Sequence, residues 1–276
     1  IIGNKNNFIK KNVPFITEIN TNGILRINSK PFVPNIASDN YVNYKKDTLR
    51  YIAHAGGQID GLTYTNSKEA LDLSYENGFR IFELDIIETQ DEKFVAAHDW
   101  ELWSEMTDFK DKLPPTNEQF LKCKLYKKYT PLDMEGINEW FSIHKDAILL
   151  TDKIIDPVKF SKEFIDTNRL MMELFDMTSL KNAIKVGVKS AIPAERLILN
   201  MTKQEIIDLK KMGVKHITIS RRNIADNIDL LKEFKSNGIM PYAYHVNLDT
   251  GFDEEYVTKY EMDYIYGIYA DDWEFK

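Results

Sequence analysis

RYIAHAGGQIDGLTYTNSKEALDLSYENGFRIFELDI, residues 50–86, sets a short β-rich run, an amphipathic segment and a second β-rich run in that order. The first run, Arg50 to Ala55, stops at Gly56-Gly57. The middle segment, Ser67 to Asn77, has Asn66 as its expected N-cap and Gly78 at the left-handed position that ends many helices. The second run is Phe79 to Ile86. Strand, helix and strand at this spacing form a β/α unit, and such units stack around a parallel sheet. The pattern recurs to the end of the chain. The expected barrel strands are Arg50 to Ala55, Phe79 to Ile86, Ala147 to Thr151, Arg169 to Phe175, Arg196 to Asn200, Val214 to Ser220, Ile239 to Val246 and Met262 to Ile268. Helices such as Lys203 to Met212, between Thr202 and Gly213, separate them. Eight strands with intervening helices in about 225 residues make an α/β fold, the (β/α)₈ TIM barrel.

Residues 50–276 are thus expected to form the barrel domain, with 101–131 as an insertion near its mouth. Residues 1–49, rich in Asn and Lys and carrying Pro14, Pro31 and Pro34, read as an N-terminal extension packed on the barrel. Fifteen Phe, fourteen Tyr and four Trp exclude a disordered chain. The net charge of −7 argues against a nucleic-acid binder or a general anionic-membrane binder, both of which need a basic face. Lys122, Lys124, Lys127 and Lys128 read as a solvated face, with peripheral contact to a membrane or cell-envelope polymer as the alternative. A single cysteine, Cys123, excludes an intrachain disulfide framework and a multi-cysteine zinc site. No run of about 18 apolar residues is present. The first residue is Ile1, read as a processed or trimmed start. This leans localisation toward an exported or membrane-anchored protein of the periplasm or cell envelope, with the cytoplasm as the alternative.

One segment departs from parallel order. After Ile87 comes the polar turn Glu88-Thr89-Gln90-Asp91-Glu92, then Phe94-Val95-Ala96-Ala97-His98-Asp99. So short a connection requires an antiparallel return, an extra hairpin strand after the second barrel strand. With the turn centred between Asp91 and Glu92, His98 is expected to face Asp85, and the period of two puts Glu83 on the same face as Asp85. Two carboxylates inside an apolar run need a cation, either a metal ion or a buried Lys or Arg. His54 ends the first strand and His98 ends the hairpin, and strand C-termini form the active face of such barrels.

His54-Ala55-Gly56, Asn66-Ser67, Glu83-Leu84-Asp85 and His98-Asp99, in this order, resemble the glycerophosphodiester phosphodiesterases, within the superfamily of phosphatidylinositol-specific phospholipase C-like phosphodiesterases. Thr151-Asp152-Lys153 resembles that family's Glu-x-Lys segment, with the acid displaced toward the lysine. Tyr244-His245-Val246-Asn247 is similar to its Trp-Thr-Val-Asn, and Ala270-Asp271 to its closing Thr-Asp. The resemblance implies a phosphoric diester hydrolase with His54 and His98 as the acid–base pair, Lys153 beside them, and Glu83, Asp85 and Asp152 as ligands of a divalent metal. Hard carboxylate oxygens suit Mg²⁺ or Ca²⁺. The expected substrate is a small-molecule, glycan or lipid-headgroup phosphodiester, which would place the protein in lipid metabolism. Phospholipase-type activity, action on a cell-surface glycan, and a non-catalytic barrel binding a phosphorylated glycan or lipid stand as alternatives.

Three departures from the family pattern bear on the substrate. The arginine of its His-Arg-Gly is Ala55, a carboxylate of its Pro-Glu-Asn-Thr is Thr65, and Asp152 is one methylene shorter than Glu. A phosphodiester still needs a bidentate partner. Arg221, the first residue past the sixth expected strand, is the sequence's candidate for it, with Lys153 second. Asn66 and Trp100 are the further substrate-binding candidates, Trp100 because it sits where a lid would cover the site.

Overall fold

The computed structural model describes residues 36–275 throughout, together with the strands β1 (Ile16–Ile19), β2 (Leu25–Ile27) and β3 (Lys30–Phe32), which form an antiparallel sheet in the order β1-β2-β3. Most of the 1–49 extension lies outside the described residues. Within residues 36–49, Ser38 N–H donates to the Lys259 carbonyl (2.8 Å) and the Ser38 and Tyr44 hydroxyls both donate to Asp263 (2.8 Å each).

Eight parallel strands follow: β4 (Tyr51–Ala53), β5 (Ile81–Glu88), β7 (Ile148–Asp152), β8 (Leu170–Leu174), β9 (Ser190–Pro193), β10 (His216–Ser220), β11 (Met240–Tyr244) and β12 (Gly267–Ala270). Their order is β10-β11-β12-β4-β5-β7-β8-β9, with β9 lying beside β10, so the sheet is a nearly closed TIM barrel. The short β6 (Phe94–Ala96) pairs antiparallel with the end of β5. Side-chain parity divides the core. Ile52, Ile81, Leu150, Met171, Ile192 and Tyr242 fill the barrel interior, while Phe82, Leu84, Leu149, Met172, Ile217 and Ala243 point outward into the helical layer. No helix among the described residues is long and apolar enough to cross a membrane.

The fifth and eighth barrel strands are displaced from their expected places. The fifth is Ser190–Pro193, and the start of the expected strand Arg196 to Asn200 lies in the helical turn Glu195–Ile198, which buries Ile198 in the outer layer. Pro193, which has no N–H to give a ladder, closes the true strand. The eighth is Gly267–Ala270; Met262 and Ile265 are buried in the turn before it. Gly267 pairs in register with Tyr242, and a Cβ there would come within 2.3 Å of the Arg50 carbonyl and 2.7 Å of the Tyr242 ring. Only glycine admits the Tyr242 ring at the barrel floor.

The hairpin exists, but one residue out of the expected register. Ile86 pairs with Ala96, and Ala97 N–H donates to the Asp85 carbonyl (2.9 Å), so Ala97 and not His98 lies opposite Asp85. The cause is the turn. Thr89 and Lys93 close a three-residue loop in which Glu92 is left-handed (φ 58°), the usual way an odd loop is accommodated.

The insertion folds as helices Trp100–Thr107 and Asn117–Lys122 over a second small core. Trp103, Met106, Phe120 and Tyr129 there pack with Val95 and Ala97 of the hairpin.

Candidate active site

Interior positions near the C-terminal ends of the strands carry polar groups where the lower positions carry apolar ones. On β5 the sequence Ile81, Glu83, Asp85 alternates inward, and Asp85 pairs in register with Asp152 of β7. Glu83, Asp85 and Asp152 each offer a carboxylate oxygen, and these atoms all lie within 4.8 Å of one another. Parity also explains why the acid is residue 152 and not 151: Leu150 and Asp152 face inward, whereas Thr151 shares the outward parity of Leu149. Lys153 would point outward in an extended strand. Its left-handed backbone (φ 60°) turns it back, so adjacent Asp152 and Lys153 both reach the cavity.

Lys153 Nζ donates to Asp85 Oδ1 (2.6 Å) and to the His98 carbonyl (2.7 Å). The other Asp85 oxygen accepts from Asn66 Nδ2 (3.0 Å). Burial works against the Asp85 charge, but the Lys153 ammonium and the Asn66 amide outweigh it and hold the carboxyl below its usual range. Glu83 goes the other way: burial, with the Asp85 and Asp152 charges beside it, raises it well above that range although Ala55 N–H donates to it at 2.7 Å. Asp152 is raised by burial and by Asp85, and its Oδ1 is buried without a hydrogen-bond partner. One ammonium therefore serves three carboxylates, and a donor oxygen is left over. An all-oxygen set whose second and third carboxyls ionise only with added positive charge fits a hard divalent cation.

The two expected histidines flank these acids in one cavity of about 230 Å³. His54 follows β4, and its Nδ1 lies 2.9 Å from Oδ1 of Asp271, which follows the adjacent β12. His98 Nδ1 lies 2.6 Å from Asp99 Oδ2, while the other Asp99 oxygen caps the helix Trp100–Thr107 by accepting from Leu102 N–H (2.7 Å). Each imidazole is thus oriented by a carboxylate on Nδ1, leaving Nε2 available to the cavity. The Tyr64 ring stands edge-on to both, with centroids 4.8 Å from His54 and 5.1 Å from His98.

Of the candidates read from sequence, His54, Glu83, Asp85, His98, Asp152 and Lys153 line this cavity, and Asn66, Trp100 and Arg221 do not. Asn66 is fully buried behind Asp85, where its Oδ1 accepts from Asp85 N–H (3.0 Å) and its Nδ2 holds the carboxylate. It is not the helix cap either; Ser67 accepts from Ala70 N–H and starts the helix Lys68–Glu76. Trp100 packs edge-on against Trp103 (5.7 Å) in the insertion. Arg221 is 9% exposed, lies over the Phe252 ring and is spent on Asp249 (3.2 Å) and Glu261 (3.3 Å). Arg222 pairs with the same Asp249 (2.6 Å). Three of the four insertion lysines are paired on the surface, Lys122 with Glu118, Lys127 with Asp108 and Lys128 with Asp60.

Six lining residues were not assigned a role from sequence: Tyr64, Glu173, Phe175, Tyr244, His245 and Tyr269. Glu173 carries the same signal as Glu83, an acid inside the apolar strand Leu170–Leu174. Burial pushes it up to about 7, although the Thr218 (2.9 Å) and Tyr269 (3.2 Å) hydroxyls donate to it.

No family model and no curated protein matches the chain. Solved structures do. A glycerophosphodiester phosphodiesterase from Parabacteroides distasonis superposes with a TM-score of 0.62 at 20% identity, covering 80% of this chain and 92% of that one. One from Thermotoga maritima gives 0.58 at 20% identity, covering 80% and 94%. An Oleispira antarctica phosphodiesterase in complex with the product sn-glycerol-3-phosphate gives 0.62 at 17% identity, covering 80% and 92%. The chain has the fold of the glycerophosphodiester phosphodiesterases.

Proposed function

We propose that this protein is a metal-dependent phosphodiester hydrolase acting on a small glycerophosphodiester. The observation that carries the reading is the pairing, in one cavity, of two carboxylate-anchored imidazoles with a cluster of three carboxyls that one ammonium cannot hold ionised together. The fold shared with phosphodiesterases, one of them holding sn-glycerol-3-phosphate, supports the substrate class.

Glu83, Asp85 and Asp152 would hold Mg²⁺ or Ca²⁺. Such an ion, when bound, polarises a phosphoryl oxygen and offsets its charge. The protein's own groups move the protons. His54, with Nδ1 held by Asp271, accepts the proton of the attacking hydroxyl at Nε2. His98, with Nδ1 held by Asp99, gives its Nε2 proton to the departing alkoxide as the P–O bond breaks. With water as the attacking group the products are a phosphomonoester and an alcohol; a neighbouring substrate hydroxyl gives a cyclic phosphate first. Lys153 ties the Asp85 carboxylate to the His98 backbone, so the acid cluster and the proton donor keep a fixed separation.

The test is turnover of bis(p-nitrophenyl) phosphate with Mg²⁺ or Ca²⁺ present. The expected result is hydrolysis abolished by chelation and restored by the metal. Hydrolysis unaffected by chelation would overturn the metal requirement, and no hydrolysis under either metal would overturn the enzyme reading for this substrate type.

A further inference from the structure

Four carboxylates line the cavity, and its one permanent cation, Lys153, is already bonded to Asp85 and the His98 carbonyl. An anionic substrate entering there needs a donor on the wall away from the acids. Arg221 and Arg222 lie close in sequence, but both are paired with Asp249.

His245 meets the requirement. It follows β11, whose last residue, Tyr244, already faces inward, so alternation would send His245 to the opposite side. A left-handed backbone (φ 61°) brings it back, and Tyr244 and His245 both line the cavity with their rings 4.5 Å apart. A non-glycine residue in that conformation costs free energy that surrounding contacts must hold, and such positions concentrate at functional sites.

Those contacts are present, and they bear on the tautomer. His245 Nδ1 lies 3.1 Å from Ser220 Oγ. Ser220 is fixed through its N–H to Glu195 (3.1 Å), which also accepts from the Tyr244 hydroxyl (2.8 Å). A Ser220 O–H that donates to Nδ1 places the ring proton on Nε2. On Nδ1, His54 and His98 have carboxylates, whereas His245 has a neutral hydroxyl. Partial burial and the Arg222 charge lower its pKa, against the pull of Glu195 and Asp249, so the ring is a neutral N–H donor.

We propose that His245 Nε2–H binds a non-bridging oxygen of the substrate's phosphoryl group, from the side of the cavity opposite the acid cluster. This rests on the phosphodiesterase reading, and it makes His245 a substrate-binding residue with no part in proton transfer.

The probe is sn-glycerol 3-phosphate, titrated calorimetrically with Mg²⁺ present, alongside bis(p-nitrophenyl) phosphate kinetics. His245→Phe keeps a ring against Tyr244 but has no donor, and His245→Ala removes both. His245→Gln keeps an amide N–H at about the reach of Nε2. The Phe and Ala variants are expected to weaken phosphate-ester binding and raise KM at least tenfold while kcat falls less than threefold, and the Gln variant to stay within threefold of wild type in both. Phe and Ala within twofold of wild type would overturn the assignment, as would a Gln variant as impaired as Ala. A wild type that binds sn-glycerol 3-phosphate without turnover sinks the phosphodiesterase reading alone, since the binding series still decides His245. Wild-type turnover with an unaffected Ala variant sinks His245 alone.

Discussion

Replacing Asn66 by Ala should cost the folded protein about 4 kcal/mol, because three separate losses fall on one buried position. The Asn66 amide donates to the buried Asp85 carboxylate at 3.0 Å, a charge-assisted bond worth about 1.5–3 kcal/mol. Its carbonyl accepts from Asp85 N–H at 3.0 Å, and leaving that buried donor unpaired costs about 1–3 kcal/mol. Asn66 is also left-handed (φ 48°), where Asn is tolerated and Ala pays about 1–2 kcal/mol. Losses on one side chain do not add in full, so the total lies below the sum of the upper values. It is still a large share of the roughly 5–15 kcal/mol that holds a domain together. Urea unfolding of the wild type and of the Ala and Gly variants measures it. Gly removes both hydrogen bonds but not the backbone compatibility, so it should recover about 1 kcal/mol of the Ala loss. An Ala variant destabilised by less than ~1 kcal/mol would refute the idea that Asn66 holds Asp85 in place.

Glu173 sits at about 7 in the fold and near 4.3 unfolded, so the fold favours its protonated form. The sign follows: the wild type should lose stability relative to Glu173→Gln as pH rises from about 4.3 to 7, by up to about 3 kcal/mol, and chelator-treated samples unfolded in urea at both ends would show it. Arg221→Ala should leave the buried Glu261 carboxylate unpaired and cost about 3 kcal/mol with KM little changed; a large KM effect with full stability would return Arg221 to the substrate. Asp271→Asn should lower kcat roughly 10- to 100-fold through loss of the His54 anchor, with metal affinity unchanged by calorimetry. Glu83→Gln and Asp85→Asn should each bind Mg²⁺ or Ca²⁺ far more weakly; unchanged binding in both would make the acids structural, with Lys153 as their cation.

What the sequence shows best is what parity alone decides. An acid inside an apolar strand stands out at Glu83 and Asp85, and the β/α alternation locates six of the eight barrel strands. Run lengths and registers depend on single residues that periodicity weighs too little. Pro193 ends a four-residue strand, while the apolar residues 197–199 read as a strand although they belong to a helical turn and its edge. Glu92 absorbs one residue in the hairpin turn and moves every later pair by one. Lys153 and His245 enter the cavity only because their backbones are left-handed, which breaks the alternation that reveals the other site residues. Arg221 lies outside the cavity for a different reason. Its place at a strand end was legible, but Asp249 and Glu261, distant in sequence, consume its charge. Glu173 was legible by the same logic as Glu83.

The most direct test is to incubate the protein with a glycerophosphodiester and Mg²⁺ or Ca²⁺ and follow release of sn-glycerol 3-phosphate, for the wild type and for His54→Ala and His98→Ala. Release by the wild type, with each variant slowed about 10²- to 10⁴-fold and each still binding the metal, is the expected result. Variants that match the wild type, or a wild type that binds the metal and releases nothing, would contradict the assignment of the two imidazoles as the proton carriers of a phosphodiesterase.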